Sequence, residues 1–143
     1  SLMKEDQYLT AGKGASVFRS PLGVTGAGIC FDLRFPDHFS KMSDSGSEIF
    51  LLPAHWPLLR IDHWDVLLRA RAIENQAYMI ATNSTGVSNG QVFGGHSAVI
   101  APDGEVLLQA PHDNAGLYTI SIDLEMVSEI RRSFPLGKNK IPG

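Results

Sequence analysis

Apolar and polar positions fall into short blocks along this chain, and the period of the blocks changes repeatedly. Residues 15–19 read as a short strand, and Pro21-Leu22-Gly23 as a turn. Residues 24–30 are small and apolar and predict a buried strand. Pro36 suits the first turn of a helix, where its missing N–H is not needed, and residues 37–45 continue that helix to Gly46. Residues 48–54 are almost uninterrupted in apolar character, as expected of a strand covered on both faces. Asp62-His63-Trp64-Asp65 has the form of a capping box and opens the clearest helix in the chain. Within it Val66, Ala70, Ile73 and Ala77 recur at helical spacing and are predicted to face the core. Asp65 and Arg69 stand in the favoured order for an i,i+4 ion pair, and the helix should end near Gln76.

The remainder is rich in strand signals. Residues 78–84 predict a strand, 86–90 a loop and 92–101 another strand. Pro102-Asp103-Gly104 is a hairpin turn in which glycine supplies the positive φ. Residues 105–110 and 117–122 follow as strands, and Asp123 can cap a last helix running to about Arg132. Strand, helix, strand, helix, strand demands parallel crossovers, and the later hairpins add antiparallel strands. The predicted fold class is therefore α/β with a mixed sheet.

A chain of 143 residues can bury one real core, and 43% hydrophobic with 19% charged residues is ordinary for a globular domain. Ser1-Leu2-Met3 reads as a remnant ahead of the protein proper, which leaves residues 4–143 as a single domain. A net charge of −3 offers no basic surface for nucleic acid or an anionic membrane. No apolar run has membrane-spanning length, and the N-terminus lacks a signal pattern. The five histidines are scattered without ligand spacing, and one cysteine forms neither a disulfide framework nor a thiolate zinc cluster within the chain. No cofactor and no metal are expected, and a reducing, cytoplasmic setting fits the cysteine usage.

That cysteine, Cys30, stands where the apolar run turns polar and then reaches Pro36. The carboxyl end of a buried strand, turning toward a helix, is where α/β proteins place a nucleophile. A thiol attacks a carbonyl or nitrile carbon as thiolate, and so needs an adjacent base or a lowered pKa. The backbone N–H of Phe31, in the same turn, could meet a developing oxyanion. The plain alternative is that Cys30 is a small buried hydrophobe, as free cysteines commonly are.

Several separated segments bear on that choice. They are Gly28-Ile29-Cys30-Phe31-Asp32-Leu33-Arg34-Phe35-Pro36-Asp37, then Leu52-Pro53-Ala54-His55-Trp56-Pro57, and His63-Trp64 with Leu68-Arg69-Ala70-Arg71-Ala72-Ile73-Glu74-Asn75-Gln76. Ala81-Thr82-Asn83, Gly94-Gly95-His96-Ser97 and Pro102-Asp103-Gly104-Glu105-Val106-Leu107 complete the set. In order and spacing they resemble the carbon–nitrogen hydrolases of the nitrilase superfamily, over nearly the whole chain. The resemblance implies an αββα sandwich, of which this chain would be the C-terminal part, and a dimer or higher homo-oligomer formed across the helix layer. It implies hydrolysis of small linear amides through a cysteine thioacyl intermediate, with Cys30 as nucleophile and the Phe31 N–H in the oxyanion site. The wording of the motifs is closest to members acting on ω-amides of dicarboxylic acids.

In such enzymes a glutamate takes the thiol proton, and a lysine ammonium shares the oxyanion with the N–H after the cysteine. A second glutamate, upstream, positions the substrate, and Glu5 matches it through the setting of Glu5, Leu9 and Gly12. The general-base glutamate and the catalytic lysine are the departure: neither Lys4 nor Lys13 stands at the family position. The chain alone is thus expected to be incomplete, with a catalytically dead, self-associating module as the alternative. His55 and Trp56 correspond to pocket-lining positions, against a reading as loop packing. Asp32 and Arg34 flank the nucleophile and read more readily as an ion pair fixing the turn. Glu74 resembles a residue that braces the site, against a plain helix pair with Arg71. His96 reads as a satisfied buried histidine, and Arg131 and Arg132 as residues of a helix end or a dimer contact.

Overall fold

The structure is a computed structural model that describes residues 7–139. Its centre is a six-stranded sheet. Strands β1 (Ser16–Ser20) and β2 (Gly23–Ala27) form an antiparallel pair at one edge. β2 continues into β3 (Ile49–Ala54) and β4 (Tyr78–Asn83), all three parallel. β7 (Ala98–Ile100) and β8 (Val106–Gln109) add antiparallel at the far edge. Between them in the chain, β5 (Thr85–Ser88) and β6 (Gln91–Gly94) form a separate hairpin.

The two parallel crossovers run through α1 (Pro36–Asp44) and α2 (Ile61–Asn75). Pro36 opens α1 as anticipated, and Gln76 closes α2 in the left-handed region at φ 49°. Both helices pack on one face of the sheet. There Phe39, Met42, Trp64 and Leu68 meet Phe50, Leu52, Met79 and Ile100, all out of contact with water. Alternation sends Ile49 and Tyr78 to the other face, where Val127 of α3 (Glu125–Ser133) covers them together with Ala101. The mixed-sheet α/β expectation therefore holds. Among the described residues it is realised as a six-stranded sheet with α1 and α2 on one face and α3 on the other, beside the separate β5–β6 hairpin.

Five local expectations are corrected. Val66 and Ile73 point outward, at 65% and 44% exposure, while Trp64, Leu68, Arg71, Ala72 and Asn75 form the inner face of α2. The helix is apolar on two sides, so periodicity alone could not choose between them. A short 3₁₀ turn over Leu58–Arg60 feeds directly into α2, whose N-cap is Arg60, and Asp62 makes no capping bond. Asp65 leaves Arg69, which donates instead to the Gly104 carbonyl at 3.1 Å. Residues 92–101 are two strands, because Gly95 and His96 adopt φ 57° and 55° and turn the chain between β6 and β7. Residues 117–122 lie outside both sheets and are largely exposed. Asp123 does cap the last helix, accepting from the Glu125 N–H at 2.9 Å.

Candidate active site

The carboxyl ends of β2, β3 and β4 converge, and the candidate residues come from the loops that follow. After β2, the Gly28 N–H donates to the Leu51 carbonyl at 3.0 Å and carries the chain along β3 for one residue more. A Cβ at Gly28 would meet Leu52, Phe39 and the Asp32 side chain at 3.3–3.5 Å, so the turn lies tightly against the core. The chain then winds into a 3₁₀ turn over Cys30–Arg34.

Cys30 opens that turn with φ 44°, in the left-handed region that non-glycine residues rarely occupy. Such a conformation costs on the order of 1–3 kcal/mol and persists where the surroundings enforce it. Three contacts enforce it here. Asp32 Oδ2 accepts from the Ile29 N–H at 2.8 Å, and the Asp32 N–H donates to the Ile29 carbonyl at 2.9 Å. The Arg71 guanidinium, buried beneath the turn, donates to the Leu33 carbonyl at 3.0 Å. The Cys30 side chain is half-buried against the core, and among the described residues its Sγ has no hydrogen-bond partner.

Asp32 thus fixes the turn as expected, but through the backbone and not through Arg34. Arg34 lays its guanidinium over the Trp56 ring at 4.7 Å and near the Phe31 ring at 5.8 Å. Phe31 is exposed, with Phe35 edge-on at 5.5 Å. Glu74 pairs with Arg71 Nη1 at 3.0 Å. The helix pair and the bracing role coincide, because Arg71 is the group that holds the Leu33 carbonyl.

After β3, His55 is exposed and stacks on Phe93 at 3.5 Å, while Trp56 is buried. The Trp56 indole N–H donates to the Arg60 carbonyl at 2.7 Å. The Trp56 N–H donates to Asn83 Oδ1 at 2.6 Å, and Asn83 Nδ2 donates back to the Trp56 carbonyl at 3.2 Å. Trp56 therefore reaches the site from beneath Arg34, and His55 stands at the surface. Glu5 lies outside the described residues.

The remaining candidates lie further off. His96 pairs with Asp65 at 2.9 Å and stacks on His112 at 3.6 Å, and Trp64 Nε1 donates to its carbonyl at 2.8 Å. It is a satisfied, partly buried histidine, as read from the sequence. Arg131 donates to the carbonyls of Ser47, Asn75 and Gln76 and so closes the C-terminal end of α2. Burial pushes its guanidinium below the usual arginine range. Concavities among the described residues include one of about 270 Å³ beside Arg131 and one of about 370 Å³ between β4, β7 and residues 110–118. Cys30 lines neither. No group of His, Cys, Asp and Glu side chains among the described residues is arranged to hold a metal ion.

Two residues of this constellation, Arg71 and Asn83, escaped the sequence reading as functional positions. Their importance comes from partners 38 and 27 positions away. The only local signal was a polar residue standing at an otherwise buried position of a helix or a strand end.

Comparison with known proteins places the sequence and the fold. The sequence model of the carbon-nitrogen hydrolase family matches residues 2–132. The chain belongs to the carbon–nitrogen hydrolase family. It is 42% identical over 136 residues to the 2-oxoglutaramate amidase of Bacillus subtilis, covering 94% of this chain and 52% of that protein. It is 42% identical over 113 residues to the 2-oxoglutaramate amidase of Paenarthrobacter nicotinovorans, covering 79% and 38% respectively. Among solved structures, the carbon-nitrogen hydrolase from Helicobacter pylori G27 superposes with a TM-score of 0.87 at 28% identity, over 95% of this chain and 53% of that one. The chain thus spans about half the length, or less, of these relatives.

Proposed function

We propose that this chain carries the nucleophile of an amide hydrolase and that Cys30 is that nucleophile. The observation that carries the reading is the enforced positive φ of Cys30 at the carboxyl end of β2, in a family whose similar members are named as amidases. The thiolate adds to the amide carbon, and the Phe31 N–H, with an ammonium, stabilises the oxyanion. The C–N bond then breaks, ammonia leaves with a proton from the general acid, and water hydrolyses the thioester to release the acid and restore the thiol. The proton-accepting carboxylate and the ammonium are not supplied by groups bonded to Cys30 among residues 7–139. Glu5 is assigned the substrate-positioning role, and His55 and Trp56 the wall of the site.

The favoured substrate is a small linear ω-amide of a dicarboxylic acid, because 2-oxoglutaramate, the substrate in the relatives' names, is a five-carbon member of that class. The comparisons lend no support to a catalytically dead module. A cytoplasmic setting, which keeps Cys30 a free thiol, belongs to the proposal, as does self-association through the outward apolar side of α2. Among the described residues no helix is long and apolar enough to cross a membrane.

Ammonia release from a series of amides with and without a distal carboxylate tests the substrate class. The assay is run on the chain alone and with a polypeptide carrying the complementary half of a relative. Turnover of the carboxylate-bearing amides first is the expected result. Equal turnover of plain aliphatic amides would remove the ω-amide assignment.

A further inference from the structure

At the end of β4, Asn83 is buried and spends its whole side-chain amide on the two loops beside it. Its Oδ1 accepts from the Trp56 N–H at 2.6 Å, and its Nδ2 donates to the carbonyls of Trp56 at 3.2 Å and Gly95 at 2.8 Å. Its own backbone is fixed in turn: the N–H donates to Ser97 Oγ at 2.9 Å, and that hydroxyl donates to the Asn83 carbonyl at 3.3 Å. One carboxamide therefore grips residue 56 at both its N–H and its carbonyl and joins β4 to the loops after β3 and β6. An amide is the one side chain of this length that both accepts and donates, which this double grip requires.

The grip leads toward the nucleophile through two side chains. Trp56 presents its ring face to the Arg34 guanidinium at 4.7 Å, and Arg34 ends the 3₁₀ turn that Cys30 begins. We infer that Asn83 is a positioning residue for the nucleophile: it sets the Trp56 platform, the platform seats Arg34, and Arg34, lying over the Phe31 ring at 5.8 Å, backs the Cys30 turn that Asp32 and Arg71 bond. The inference rests on Cys30 being the nucleophile. Alkylation of its thiol needs no amide turnover, however, so failure of the hydrolysis assay leaves the test below standing.

The test uses the full chain, whose single cysteine makes intact-mass measurement of iodoacetamide labelling specific to Cys30. Asn83→Asp is isosteric, keeps an acceptor toward the Trp56 N–H and turns its second oxygen on two carbonyls. It should loosen the turn and raise the Cys30 alkylation rate roughly tenfold. Ile100→Ala, a core truncation on β7, supplies a control that loses stability without touching the grip. Trp56→Phe keeps the backbone grip but shrinks the platform, and should raise the rate in the same direction. In a Trp64→Phe background, the remaining tryptophan is Trp56, and Asn83→Asp should shift its emission to the red.

Alkylation of Asn83→Asp no faster than that of Ile100→Ala overturns the inference, as does a wild-type rate in Trp56→Phe. Should Asn83→Asp fail to fold, the Trp56→Phe rate alone decides: a rise upholds the relay, and no change overturns it.

Discussion

Two buried polar side chains set what single substitutions do to this protein. Arg71 holds the Leu33 carbonyl on one side and Glu74 on the other, so removing it strands a carbonyl beneath the nucleophile turn. Arg71→Leu is expected to destabilise by about 1–3 kcal/mol, read from urea unfolding, while Glu74→Gln costs less because that carboxylate is 41% exposed. Tyr78 donates its hydroxyl to the Asp123 carbonyl at 2.7 Å, and burial pushes its phenol above the usual tyrosine value of about 10. A raised folded pKa means the unfolded chain releases its proton first. The stabilisation is therefore present below pH about 10 and is lost as pH rises through the folded value. Thermal melts between pH 9 and 11, on wild type and Tyr78→Phe, should show the steeper decline in wild type; parallel curves would contradict the assignment. At this scale the sequence displayed Cys30 plainly, since a lone thiol at an apolar-to-polar boundary needs no partner to be noticed. Arg71 and Asn83 were invisible for the opposite reason, because each acts through residues far away in the chain.

α2 shows how an element can be recognised and still be oriented wrongly. Its existence and its end near Gln76 were readable, because both depend on local sequence. Its inner face was not readable. Two apolar sides compete, and Trp64 and Leu68 on one outweigh Val66 and Ile73 on the other once Arg71 is satisfied by Leu33 and Glu74. Leu59, at 90% exposure, extends the outer side along a spacing of seven with Val66 and Ile73. An outward apolar side of this kind is the proposed self-association surface. Val66→Asp should shift the chain to a smaller species in size-exclusion chromatography with light scattering. An unchanged mass would remove α2 from the interface. Strand boundaries followed the same logic: β6 and β7 separate at Gly95, whose positive φ and close approach to the His112 carbonyl leave no room for a Cβ, a contact between residues remote in sequence.

The whole molecule is a mixed sheet whose parallel strands aim three loops at one place. Gly26 illustrates how closely the helix layer sits: a Cβ there would lie 2.7 Å from Met42 Sδ and 3.1 Å from Phe50. Gly26→Ala is expected to lower stability by roughly 1–3 kcal/mol through overpacking, as measured by denaturant unfolding. That both parallel crossovers and the later antiparallel strands could be anticipated follows from their dependence on period and turn residues. The partners of Cys30 could not be located that way, since a catalytic site joins residues that no local pattern links. The central claim is that Cys30 is the nucleophile of an amide hydrolase. Its most direct test is intact-mass and peptide-mapping analysis after brief incubation with a small ω-amide, on the chain alone and with the complementary half of a relative. The account predicts one acyl adduct on Cys30, released by hydroxylamine and absent from Cys30→Ala. An adduct on another residue, or ammonia release undiminished in Cys30→Ala, would contradict it.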